Sequence, residues 1–157
     1  MPNLAIYIRS LKREDALTSY KWRNNPLIWE LTGSKPDIEI TKEIELSWID
    51  KILKRKNEKR FAICIEKTNQ YIGNVQLTNI QNKKAEFHIF IGETKFWGKN
   101  IATIATNKVL NFADNDLRLK EVYLWVKKEN SAAIRVYEKC GFIGSEEEGR
   151  LKMKYIF

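Results

Sequence analysis

Hydrophobic and polar positions alternate over residues 4–9, the period of a strand with one buried face. Residues 13–24 have the composition of a helix, with Pro26 marking its end. Thr41 is placed to cap a second helix running to about Arg55, with Glu43 and Glu45 near its positive end. The apolar stripe of that helix is Ile44, Trp48, Ile49, Ile52 and Leu53, close to helical spacing. Three strand patterns follow in quick succession, at 60–66, 71–78 and 85–91, and the short turns between them predict antiparallel neighbours. A long helix is predicted from Gly98 to about Leu117, with Ile101, Ala105, Val109, Phe112 and Ala113 inward. A strand at 121–127 comes next, then a short helix that opens on Asn130 and stops at Gly141, then strands at 142–145 and 151–157. The order is βααβββαβαββ. With a parallel crossover between 85–91 and 121–127, it predicts an α/β (α+β) fold: a mixed central sheet of about seven strands with helices on both faces.

The chain has 157 residues, the usual size of one domain, and residues 1–157 are expected to form one. Hydrophobic residues make up 43%, enough to bury a core. Cys64 and Cys140 lie in apolar stretches and match no metal-ligand spacing, so they are expected to be reduced core residues of a cytoplasmic protein that needs no metal. No segment has the length or apolarity of a membrane span, and the first residues lack the pattern of a secretory leader. The net charge of +8 favours anionic partners, coenzymes and nucleotides among them. Much of the excess lies in residues 51–60, where no aromatic residue interleaves the lysines and arginines. A solvated helix end explains that run better than a nucleic-acid surface, and no stable nucleic-acid partner is expected.

The segment Asn130-Ser131-Ala132-Ala133-Ile134-Arg135-Val136-Tyr137-Glu138-Lys139-Cys140-Gly141-Phe142 carries the strongest motif. Its pattern, N-x-x-A-I-x-x-Y-x-K-x-G-F, resembles the C-terminal signature of the GNAT superfamily of acyl-CoA-dependent N-acetyltransferases. Upstream, Trp97-Gly98-Lys99-Asn100-Ile101-Ala102, leading into Thr103, is similar to the family's Q/R-x-x-G-x-G/A loop, which opens a helix. Helix N-termini present free N–H groups and a positive dipole end, which suit a pyrophosphate. Two departures are visible: Trp97 takes the Gln/Arg position, and Asn100 replaces a small residue. Asparagine enters the left-handed region more readily than most residues, so the turn is expected to survive. The resemblance implies acetyl-CoA as co-substrate. It implies cofactor contacts from Trp97, Gly98, Lys99, Asn100, Ile101, Ala102 and Thr103, from Asn130 and Ala133, and from the backbone of Ile89, Phe90 and Ile91. Asn130 is also a good helix N-cap in its own right, and Ala133 lies on a stripe that equally suits the core.

Acetyl transfer to an amine needs a proton acceptor for the incoming ammonium and gains from a proton donor at the leaving thiolate. The resemblance gives Tyr137 the donor role; packing is the other use of a tyrosine in such a helix. In the strand 85–91, alternation sets Phe87, Ile89 and Ile91 on one face and Glu86, His88 and Phe90 on the other. Glu86, and after it the lone histidine His88, are the candidate bases; a merely solvated sheet face is the alternative. Trp22, Arg23, Asn24 and Trp29, in the stretch between the first two helices, are the candidate acceptor-binding residues. The resemblance there is to the branch of spermidine, ribosomal-protein N-terminal and nucleotide-amino-sugar acetyltransferases. A nucleotide-linked amino sugar and a protein N-terminus are expected ahead of a polyamine, because a cationic acceptor prefers an acidic pocket. A catalytically silent acyl-CoA-binding module is the rival reading, and the last strand offers an edge for a homodimer.

Overall fold

The computed structural model describes residues 4–157. Its seven-stranded mixed sheet has the order β1-β2-β3-β4-β5-β7-β6. The strands are β1 (Ile6–Ser10), β2 (Lys59–Ile65), β3 (Tyr71–Gln81), β4 (Lys84–Ile91), β5 (Glu121–Val126), β6 (Ile143–Glu147) and β7 (Arg150–Ile156). The helices are α1 (Ala16–Arg23), α2 (Pro26–Thr32), α3 (Lys42–Ile52), α4 (Ile101–Asn115) and α5 (Ser131–Lys139). All neighbouring strands are antiparallel except β4 and β5.

Alternation along the strands builds two cores. On one face Ile63, Val75, Leu77, Phe87, Val122, Leu124 and Met153 pack with Ile101, Ala105, Val109 and Ala113 of α4. On the other face Ala62, Cys64 and Tyr71 pack with Ala16 and Trp22 of α1, Ile28 of α2, and Ile49 and Ile52 of α3. Thr41 caps α3, its side chain accepting from the Ile44 N–H at 3.2 Å. Both cysteines are buried and free.

Three expectations are corrected. Pro26 does not merely end the first helix; it sits at the first turn of α2, where its missing N–H is harmless, and Asn25 caps that helix. The strand at 71–78 continues to Gln81. Asn82 and Lys83, both with positive φ, close a two-residue hairpin whose left-handed pair matches the strand twist. The last strand is not an edge: β7 lies between β5 and β6, so the free edge at that end of the sheet belongs to β6.

The end of β4 is locked to α1. The indole of Trp22 lies where a Cβ on Gly92 would be, and its Nε1 donates to Glu93 at 3.0 Å. Gly92→Ala would therefore overpack a ring that cannot withdraw, destabilising the fold by about 2 kcal/mol. A melting temperature lower by roughly 4–8 °C in a thermal scan is the expected result; an unchanged one would mean that α1 slides freely on the sheet.

Candidate active site

The parallel pairing of β4 with β5 lasts only from Lys84↔Glu121 to Glu86↔Tyr123. Beyond Glu86, the side of β4 that faces β5 has no strand partner among the described residues, and the two strands diverge. A cavity of about 1450 Å³ opens there, running from α1–α3 on one face of the sheet to α4 and α5 on the other.

The arm toward α4 and α5 suits a phosphorylated, extended ligand. Asn100 has φ 66° and ψ 13°, and Gly98 has φ 73°, so the loop makes two left-handed turns before α4. The Asn100 carbonyl accepts from the Ile104 N–H at 3.3 Å, but its side chain makes no cap. The first-turn amides of α4 are thereby left for a ligand, and Ile101, Ala102 and Thr103 line the cavity. Trp97 donates its indole N–H to the Ile91 carbonyl at 2.9 Å, tying this loop to the end of β4. Lys127 and Lys139 add positive charge to the walls. Asn130 caps α5, accepting from the Ala133 N–H at 3.2 Å, and both residues line the cavity. Ile89, Phe90, Ile91, Trp97, Gly98 and Asn100 line it too, while Lys99 does not. A gap in the sheet for a thin arm and a helix terminus for its phosphates together fit coenzyme A.

Replacing Asn100 tests the loop. The left-handed region costs an L-residue roughly 1–2 kcal/mol, most for a β-branched one. Asn100→Val is expected to weaken acetyl-CoA binding about tenfold in calorimetric titration, since 1.4 kcal/mol is a factor of ten. Asn100→Gly is expected to bind at least as tightly as the parent; equal losses in both variants would give the asparagine side chain, not the turn, the main role.

The catalytic candidates lie on opposite faces of β4. Glu86 and His88 share the face toward α1–α3, with Glu86 Oε2 2.9 Å from His88 Nε2. Burial pushes the imidazole below its usual range, while the Glu86 carboxylate pulls the other way. The neutral ring is therefore available to accept a proton near neutrality. Tyr137 comes from α5 on the opposite face, its ring edge-on to Phe87 at 6.2 Å and to Phe142 at 5.8 Å. It lines the cavity, and burial pushes its phenol up to about 12, so the O–H stays intact as a donor. The strand gap is where the two faces meet.

The acceptor candidates separate. Arg23 and Trp29 line the cavity; Arg23 is ion-paired with Glu45 at 2.7 Å, and Lys35 sits 5.4 Å over the Trp29 ring. Trp22 is a core residue, 3% exposed, packed at 4.7 Å against the tilted ring of Tyr71 and edge-on at 5.9 Å to Phe90. Asn24 is a clamp. Its amide nitrogen donates to the Tyr20 and Ile40 carbonyls at 3.1 and 2.8 Å, and its oxygen accepts from the Ile40 N–H at 2.8 Å. These bonds hold the chain leading into α3 against α1, and neither Trp22 nor Asn24 lines the cavity.

Residues not anticipated also form the wall. Asn74, Gln76 and Thr78 of β3 line the cavity and sit opposite Phe90, His88 and Glu86. Their polar alternation is present in the sequence and was the available signal. Arg60, Glu45, Trp48, Trp125 and Arg150 reach the same space through long-range packing that no local pattern records.

Comparison with known proteins agrees with this geometry. The acetyltransferase (GNAT) domain model matches residues 5–143. The spermidine N(1)-acetyltransferase of Escherichia coli is 32% identical over 141 residues, covering 88% of this chain and 73% of that protein. The acetyltransferase PseH of Campylobacter jejuni is 26% identical over 129 residues, covering 82% of this chain and 77% of that one. The crystal structure of the Vibrio cholerae spermidine N-acetyltransferase in complex with CoA and spermine superposes with a TM-score of 0.85 and 26% identity. It covers 96% of this chain and 95% of that chain. The chain belongs to the GNAT acetyltransferase family. It is an N-acetyltransferase whose acyl donor is acetyl-CoA. Among the described residues no helix is long and apolar enough to cross a membrane.

Proposed function

We propose that this chain acetylates the primary amine of a small-molecule acceptor held in the arm between α1–α3 and β3–β4. The observation that carries the reading is His88, which lines the cavity on one face of β4 with Glu86 2.9 Å behind it and outside the lining, and Tyr137, which lines it on the other face, where β4 and β5 part. When bound, acetyl-CoA supplies an activated acyl group. The amine enters from the Glu86–His88 side as an ammonium, and its proton passes to that pair. Attack by the free amine is direct, since both thiols are buried in the cores. Tyr137 holds its proton on the opposite face, where a departing thiolate can take it or be held by it. Thr78 and Gln76, beside Glu86 and His88, are positioned to orient the acceptor.

The relatives change the expected order of acceptors: they favour a polyamine over a nucleotide-linked amino sugar or a protein N-terminus. A cytoplasmic location and self-association through the exposed β6 edge belong to the same proposal. Release of the CoA thiol from acetyl-CoA, followed against spermidine, an amino sugar and a peptide with a free N-terminus, tests the reading. Acetylation of none of them, with acetyl-CoA nonetheless bound, would favour the silent binding module.

A further inference from the structure

Pairing between β4 and β5 stops at Glu86↔Tyr123, so Phe87 and Leu124 are the first residues past the last pair, one on each strand. Residues in register on neighbouring strands share a face. Both side chains therefore stand on the α4–α5 face, at the closed end of the gap, and both line the cavity. They are tightly held: each is only 2% exposed. The Phe87 ring lies edge-on to Tyr137 and tilted against Phe142, both at 6.2 Å. Leu124 pairs with Met153, itself 1% exposed. A packed interior of this kind yields little volume to a guest.

We propose that Leu124 and Phe87 form a floor that limits the acyl group of the donor to the size of acetyl. This rests on the acetyltransferase reading of the same site and adds to it the residues that measure the donor. The loop that opens α4 is tied to Ile91, at the open end of the gap, so the donor comes from there and its thioester lies deeper, beside Tyr137. The sulfur, the carbonyl oxygen and the first acyl carbon of a thioester share one plane, and an amine attacks across that plane. With the amine on the His88 side of the sheet, the plane lies along the gap. The sulfur takes the direction of the open end. The N–H groups on the unpaired side of β4 are the donors for the carbonyl oxygen. The direction left for the acyl chain runs toward β5 and the closed end, where Leu124 and Phe87 stand across it. A longer chain turned into the acceptor arm would take the place of the amine.

Titration and thiol release with acetyl-, propanoyl- and butanoyl-CoA test the floor. With an amine that it acetylates, the parent is expected to use acetyl-CoA over butanoyl-CoA by about tenfold or more in kcat/KM, with propanoyl-CoA between them. Leu124→Ala opens a hole in the floor. Relative to acetyl-CoA, it should bind butanoyl-CoA about tenfold tighter than the parent does, since two further methylenes are then buried. Its melting temperature should also rise more with butanoyl-CoA than with the same concentration of acetyl-CoA. Leu124→Val and Phe87→Leu, the milder cuts, should move the same binding ratio in the same direction by less. Val122→Ala trims the same strand and face inside the paired stretch, outside the cavity lining, so its ratio should stay that of the parent.

Equal use of acetyl-CoA and butanoyl-CoA by the parent overturns the proposal while leaving acetyl transfer intact. So does an unmoved binding ratio in the floor variants that fold, or an equal gain in Val122→Ala, which would mean a loosened core. Release of thiol with no amine at all would overturn acetyl transfer to small amines, and the titrations alone would then decide the floor. Failure of the parent to bind acetyl-CoA removes the reading of the site on which both rest.

Discussion

Tyr137→Phe is expected to lower kcat by about 10²–10³-fold, the usual range for losing one positioned proton donor. Acetyl-CoA affinity should stay within about threefold of the parent, because the ring contacts with Phe87 and Phe142 involve no hydroxyl. The pH profile separates donor from packing residue. Burial holds the phenol near 12, so its O–H is present throughout the working range and no alkaline loss should arise from it below about pH 11. The acid limb belongs to the other face: His88 is pushed down by burial, so activity should fall only as pH drops through a value below the ordinary histidine range of about 6.5. An unchanged kcat in Tyr137→Phe would leave the residue as packing alone. An acid limb that persists in His88→Ala would assign proton acceptance to Glu86 or to a water it holds.

The largest effect on stability is expected at Glu45. Its carboxylate joins α1 to α3, accepting from Ser19 and Arg23 while only 2% exposed. Glu45→Ala leaves a buried hydroxyl without a partner and a guanidinium without its counter-charge. Breaking a buried pair from one side costs about 3–5 kcal/mol. Arg23, 35% exposed, can rehydrate, which places this case at the low end, about 3 kcal/mol. Urea unfolding should show that loss, with a melting temperature lower by roughly 6–12 °C. Adding Ser19→Ala to Glu45→Ala should recover part of it, since the orphaned hydroxyl is then gone. A loss under about 1 kcal/mol would mean that water replaces the carboxylate without strain. The released Arg23 would also add one uncompensated cation to the acceptor arm.

What the sequence made legible is local. The period-two pattern of β4 placed Glu86 and His88 together and Phe87 opposite, because a strand has no other way to arrange them. Thr41 and Asn130 announced their helices because a cap uses only its next few residues. The left-handed turn at Asn100 followed from an asparagine where the loop needs a small residue. What stayed hidden depends on distant partners. Trp22 had the composition of a pocket wall, but Gly92, far along the chain, leaves the space that buries it. Asn24 had the composition of a binding residue, but Ile40 takes its amide on both sides. The second helix start at Pro26 was misread because proline both ends helices and opens them, and only the Asn25 cap tells which. Arg60 and Arg150 are unremarkable as sequence, since the Trp48 and Trp125 rings they lie against come from other elements.

The short stretch from Ile91 to Glu93 grips both halves of the molecule. Ile91 holds the loop before α4 through Trp97, and Gly92 with Glu93 holds α1 through Trp22. The loop that opens α4 thus hangs from one side of a three-residue splice, and α1 hangs from the other. The helices beyond Trp22 can then be re-lined, by drift or by grafting, without disturbing the seat of the donor, so long as one flat ring still fills the notch at Gly92. A lineage built this way can exchange its acceptors while its acyl chemistry stays fixed.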